Sequence, residues 1–193
     1  MKDKILMLVF VLVCGTVLTA ALVLVNQFTA PIIQKNEALK LKRNVLAALG
    51  IPHGEADVES VFAEKVKVVQ AEGRALYRNE AGDTAFEFAG GGLWGPITGV
   101  VALSSGLEEI RNLTIIHQEE TPGLGSRIAE RAHLDKFIGR TILPALASVG
   151  AGKAKKPTDV DAITGATLSS NAFVDVLNRN IAELLPIAKG AEQ

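Results

Sequence analysis

Apolar side chains run without a single charge across residues 5–25, ILMLVFVLVCGTVLTAALVLV. At about 1.5 Å per residue, this stretch as a helix spans the ~30 Å hydrocarbon core of a bilayer. The pattern predicts a transmembrane helix. The competing reading, a cleaved signal peptide, calls for an apolar core of only about 7–15 residues. Lys2 and Lys4 precede the run and the next positive charge is Lys35. The positive-inside rule therefore puts the N-terminus in the cytoplasm and everything after residue 25 outside, in the periplasm or its equivalent.

Beyond the apolar run, Ile33, Leu39, Leu41, Val45, Leu46 and Leu49 recur at helical spacing before Gly50 and Pro52. This predicts a stalk helix that continues the anchor and stops at those two breakers. Between residues 65 and 118 the period changes to two. The runs VKVVQ, RALYR, AFEFAG, ITGVVAL and IRNLTII are separated by turn formers such as EAGD and SSG, which predicts a mostly antiparallel sheet. Helical spacing returns over residues 126–137, with Ile128, Ala132 and Phe137 inward. It returns again over residues 170–185, where Phe173, Val176, Leu177, Ile181 and Leu184 share a face. Residues 149–158, VGAGKAKKPT, carry no apolar period and read as an exposed loop. The class is α+β: a mostly antiparallel sheet with packed helices, preceded by one transmembrane helix and a stalk helix. The expected organisation is a cytoplasmic N-terminus and anchor over 1–25, a stalk over 26–52 and an extracytoplasmic domain over 53–193.

Charge and cysteine content narrow the function. Twenty basic against 21 acidic side chains leave a formal net charge of −1, so no global field gathers nucleic acid. The one cysteine, Cys14, lies inside the apolar run. That excludes a disulfide framework, a CxxC pair and a cysteine-ligated cluster, so any redox chemistry needs another cofactor. His53, His117 and His133 are scattered without ligand spacing, and no metal site is expected. Glu119 and Glu120, being adjacent on extended chain, point to opposite faces and do not form a hydrolytic pair.

The segment that carries chemistry is DAITGATLSS, residues 161–170, between the lysine-bearing loop and the last helix. It has two readings. Thr167, Ser169 or Ser170 caps the helix, or the free N–H groups and positive dipole end of that helix hold a phosphate, with Gly165 giving clearance.

This decapeptide resembles the D-x-x-[ST]-G-A-T-x-[ST] attachment motif of the FMN-binding domain in Rnf and Nqr ion-translocating redox complexes. Two more segments match in order, GGLWGP at 91–96 and ETPGLG at 120–125. The resemblance implies that Thr167 carries FMN as a phosphoester, installed from FAD by a separate flavin transferase, with Thr164, Gly165 and Ala166 in the same motif. It further implies that Trp94, Thr121 and Leu124 line the isoalloxazine and that Glu120, Gly123 and Gly125 shape the pocket. Taken alone, a lone Trp is more often an anchor in a core or surface, and TPGLG an ordinary tight loop. With the resemblance, Trp94 offers a flat apolar face, and Pro122, Gly123 and Gly125 let backbone run close to a planar ring.

The implied function is an electron-transfer component of a multi-subunit membrane redox complex, most like the Rnf G subunit and not catalytic alone. The alternatives are an NqrC-like component, a standalone extracytoplasmic flavoprotein, and a non-redox anchored module that binds a free anion.

Overall fold

A computed structural model describes residues 2–190 of the 193-residue chain. The chain divides into two units, residues 1–39 and residues 40–193. From Lys2 onward the first unit is helical and belongs to helix α1, Lys2–Ala48. This helix contains the uncharged run and is long and apolar enough to cross a membrane. Its hydroxyls are satisfied internally: Thr16 Oγ1 donates to the Leu12 carbonyl at 2.8 Å and Thr29 Oγ1 to that of Val25 at 2.9 Å. Such back-bonding satisfies a hydroxyl within the helix itself.

In the second unit α1 ends where Gly50 takes φ +68°. The Ile51 N–H reaches the Leu46 carbonyl and the Gly50 N–H that of Ala47, the paired bonds of a Schellman stop. Helix α2 (Val58–Lys65) follows. Five strands then form a meander: β1 Lys67–Ala71, β2 Arg74–Arg78, β3 Thr84–Gly91, β4 Pro96–Leu103 and β5 Ile110–Gln118. All neighbours are antiparallel and in sequence order, as the period-two runs predict.

Both faces of the central strands are covered. Ile97, Val101 and Leu103 of β4 point into the main core with Phe86 and Phe88 of β3. Val100 and Ala102, on the opposite face, are equally buried. On that side the Asn112 amide donates to the Ala47 carbonyl at the end of α1, and Phe62 of α2 lies edge-on to Tyr77 at 6.0 Å.

The main core is closed by helix α4, Thr167–Gly190. Its predicted face, Phe173, Val176, Leu177, Ile181 and Leu184, is buried. Side chains of this size each stabilise by roughly 1.5–3 kcal/mol when fully buried. The helix is set close to β3 because Gly90 has no side chain; a Cβ there would stand 2.8 Å from Val176 Cγ2. Asn180 fixes the register by bonding both backbone groups of Ala89, accepting at 3.3 Å and donating at 3.0 Å.

Two segments differ from the expectation. Residues 125–137 are not one helix but a 3₁₀ turn (Gly125–Ala129), a single α turn α3 (Arg131–Leu134) and another 3₁₀ turn (Asp135–Phe137). Glu130 is extended at φ −68°, ψ 137°, which breaks the phase. Ile128 and Phe137 still point inward, but Ala132 is exposed and His133 takes the buried position. The loop after residue 149 is bounded by a short parallel pair, β6 Ala147–Val149 and β7 Asp159–Asp161.

Candidate functional site

Helix α4 begins with an unusual absence. The residue before it, Ala166, has no side chain able to cap, and among the described residues the N–H groups of Thr167, Leu168 and Ser169, which lack intrahelical partners, have no hydrogen-bond acceptor. The two serines of the motif are engaged elsewhere. Ser170 Oγ donates to the Ala166 carbonyl and accepts from the Ile163 N–H, both at 3.0 Å. Ser169 Oγ donates to Glu120 Oε2 at 2.6 Å. Both serines are buried, whereas Thr167 is exposed. Among the described residues its hydroxyl makes no hydrogen bond, so the capping reading fails for all three side chains.

Gly165 turns the chain into this helix with φ +85°, a left-handed conformation that strains any residue with a Cβ. The turn opens on a cleft of about 400 Å³. One wall is Gly165, Ala166, Thr167 and Leu168; the other is Leu93 and Trp94 from the β3–β4 turn with Thr121 and Leu124 from the loop after β5. No charged side chain lines it. Leu93, Trp94, Leu124 and Leu168 are 42%, 73%, 52% and 65% exposed. Exposed apolar side chains gathered on one concavity mark a binding site. Flat apolar walls suit a planar ring, and an uncapped helix start beside a free hydroxyl suits its phosphate. The residues present therefore fit FMN.

Of the ten residues picked out from the sequence, Trp94, Thr121, Leu124, Gly125, Gly165, Ala166 and Thr167 line this cleft. Glu120 lies beneath it, 3% exposed. Gly123 sits at the exposed tip of its loop, φ +72°, its N–H bonded to Ser126 Oγ. Thr164 faces a different hollow of about 200 Å³, with Ile163, His133, Arg127 and Lys136. Leu93, Leu168 and Ser169 complete the cleft without having been singled out as its walls.

The second hollow has another chemistry. His133 packs edge-on to Phe137 at 5.5 Å, and neither ring nitrogen has a hydrogen-bond partner among the described residues. Burial, reinforced by the charges of Lys136 and Arg127, pushes the imidazole down to about 4. It is therefore neutral at physiological pH. Asp161, first residue of the motif, accepts the N–H groups of Lys153 and Ala154 and so ties down the lysine-bearing loop. Beside it, the N–H groups of Lys156 and Lys155 hold the Asp159 carboxyl below its ordinary value.

The FMN-binding domain family matches residues 92–182, which span every element of the cleft. The chain is 29% identical over 181 residues to the G subunit of the Na(+)-translocating ferredoxin:NAD(+) oxidoreductase complex of Acetobacterium woodii, covering 88% of this chain and 86% of that one. It is 34% identical over 95 residues to the C subunit of the Na(+)-translocating NADH-quinone reductase of Yersinia pestis, covering 46% of this chain but only 36% of the relative. The match thus spans about a third of that Yersinia protein. Crystal structures share the fold: Shewanella oneidensis NqrC at TM-score 0.68 and 18% identity, over 79% of this chain and 96% of that one. The corresponding NADH-quinone reductase protein from Parabacteroides distasonis gives 0.67 and 21%, over 81% and 95%. Residues 92–182 thus match the FMN-binding domain family, in a chain similar to the G subunit of the ferredoxin:NAD(+) complex and the C subunit of the NADH-quinone reductase.

Proposed function

We propose that this chain is an electron-transfer component of a membrane ion-translocating oxidoreductase complex of the Rnf type, with FMN joined covalently to Thr167 Oγ1. The observation that carries the reading is the exposed, unengaged Thr167 hydroxyl at an uncapped helix start, on the edge of a cleft with apolar walls. Free FMN would bring a dianionic phosphate into a cleft with no cationic side chain in its walls. Helix-end donors alone are worth little against water, and a covalent bond removes the problem of retention. Attachment exchanges the Thr167 O–H bond for an O–P bond, with FAD as the source, AMP as the leaving half and a flavin transferase as the catalyst. Thr164, although a hydroxyl of the same motif, faces away from the cleft and is not the acceptor.

Leu93, Trp94, Leu124 and Leu168 hold and partly shield the ring, and Thr121 supplies a polar edge. When bound, the flavin supplies one- and two-electron transfer between neighbouring centres. The Rnf type is preferred because the relation to the Acetobacterium woodii protein runs over 86% of its length. The uncharged part of α1 anchors the chain, with Lys2 and Lys4 on the cytoplasmic side and residues 53–193 outside, joined by the stalk over 26–52. Partners are the other subunits of the complex.

The test is expression of the full chain with a flavin transferase, followed by a denaturing gel viewed under ultraviolet light. Wild type is expected to fluoresce and to gain the mass of one FMN less water, while Thr167→Ala stays dark. A dark wild type, in cells where a known acceptor is labelled, would overturn the reading in favour of an anchored module for a free anion.

A further inference from the structure

Three separate segments of the cleft wall meet on one buried carboxylate. Glu120 Oε1 accepts the N–H groups of Leu93 at 2.7 Å and Trp94 at 3.2 Å. Its Oε2 accepts Ser169 Oγ–H at 2.6 Å, within the range of a charge-assisted bond. The β3–β4 turn, the loop after β5 and the start of α4 are thereby joined through one side chain. In all three contacts Glu120 is the acceptor, the role a carboxylate fills. None of the ion pairs among the described residues involves it.

Two glycines leave room for this network. A Cβ on Gly92 would stand 2.4 Å from Glu120 Oε1. One on Gly125 would stand 2.6 Å from Ser169 Oγ and 3.0 Å from Glu120 Oε2. A buried, unpaired charge is costly, and an apolar side chain with rearranged loops is a common cheaper solution. The charge therefore invites a role besides packing.

We propose that Glu120 is the positioning residue of the flavin site, and that its negative charge beneath the cleft lowers the reduction potential of the flavin bound above. Reduction brings electron density onto the ring, and in a weakly polarisable surrounding a fixed anion nearby opposes it. The inference rests on the flavin occupying the cleft, as proposed above.

The full chain is co-expressed with a flavin transferase, and covalent flavin per chain and flavin midpoint potential are read on the same preparations. Glu120→Gln keeps the shape and one acceptor for the Leu93 and Trp94 N–H groups, while its amide donates to Ser169. It is expected to carry flavin and to show a midpoint potential raised above wild type. Ser169→Ala leaves the anion with one donor fewer, so the charge is less neutralised and the potential is expected to fall. Glu120→Asp, charged but shorter, is expected to return the potential toward wild type.

Wild-type potential in a labelled Glu120→Gln overturns the proposal. If Glu120→Gln takes no flavin, Ser169→Ala decides the proposal, an unchanged potential there refuting it. A wild type without flavin refutes the cofactor reading itself and this inference with it.

Discussion

The turn over residues 162–167 separates two hollows of opposite character. On one side, Gly165, Ala166 and Thr167 border an uncharged cleft walled by exposed leucines and a tryptophan. On the other, Ile163 and Thr164 border a smaller cavity with Lys136, the buried His133, and Arg127 paired to Glu130 at 3.5 Å. Counting cations would send a phosphate to the second. Yet only the first combines a free hydroxyl, an open helix start and surfaces flat enough for a planar ring. On the function proposed above, an anion with an aromatic body is placed by the walls for its body, and its charge is met by backbone.

The largest effect that can break this contrast is all-or-none. Thr164→Ala alters the hydroxyl of the wrong hollow and is expected to accept covalent flavin at the wild-type stoichiometry, in the gel where Thr167→Ala stays dark. A dark Thr164→Ala would move the chemistry to the other side of the turn.

Next comes the acid response of the second hollow. The His133 imidazole titrates near 6.5 when unfolded and is pushed down to about 4 by burial in the folded domain. The unfolded chain therefore binds the extra proton first. The contribution of the neutral ring is fully present above about pH 6.5 and is lost as the pH falls toward 4, a change of about 3 kcal/mol at most. Denaturant unfolding from pH 7 to pH 4 should show that slope in wild type and its loss in His133→Phe. The variant keeps the aromatic contact with Phe137 and removes two unpartnered nitrogens, so at pH 7 it should be no less stable than wild type.

Smaller again is the cost of crowding the first hollow from below. Gly92→Ala places a methyl against Glu120 Oε1, Ile97 Cδ1 and the Gly95 carbonyl, all under 3.0 Å away. It should destabilise by about 1–3 kcal/mol in the same unfolding assay. Smallest for stability is Trp94→Ala, expected within about 0.5 kcal/mol because the side chain is 73% exposed. As the chain's one tryptophan, Trp94 instead reports occupancy. Its emission should be quenched in flavin-loaded wild type and restored in Thr167→Ala.

Much of this was legible in the sequence, for identifiable reasons. The meander announces itself through period-two runs, and α4 through an apolar face that its burial reproduces. The segment over 125–137 does not, because a single extended residue, Glu130, rephases three short turns and exchanges Ala132 for His133 at the core. Seven of the ten chosen site residues share the cleft since they come from contiguous motifs. Leu93 and Leu168 carried a signal that was available: a bulky apolar residue in a glycine- or hydroxyl-rich turn has no core to enter. Ser169 closes the attachment motif, but its tie to Glu120 links positions 49 apart in the chain, and no local pattern reveals that.

The Glu120 carboxylate is one of three neighbours that tie position 92 to glycine. A side chain gained at position 92 lands on the carboxylate at position 120. It lands also on Ile97 Cδ1 at 2.7 Å and on the Gly95 carbonyl at 2.9 Å, so shortening the acid alone does not admit it. Across descendants of this domain the glycine should therefore outlast the acid: a lineage that loses the carboxylate still has to keep position 92 bare.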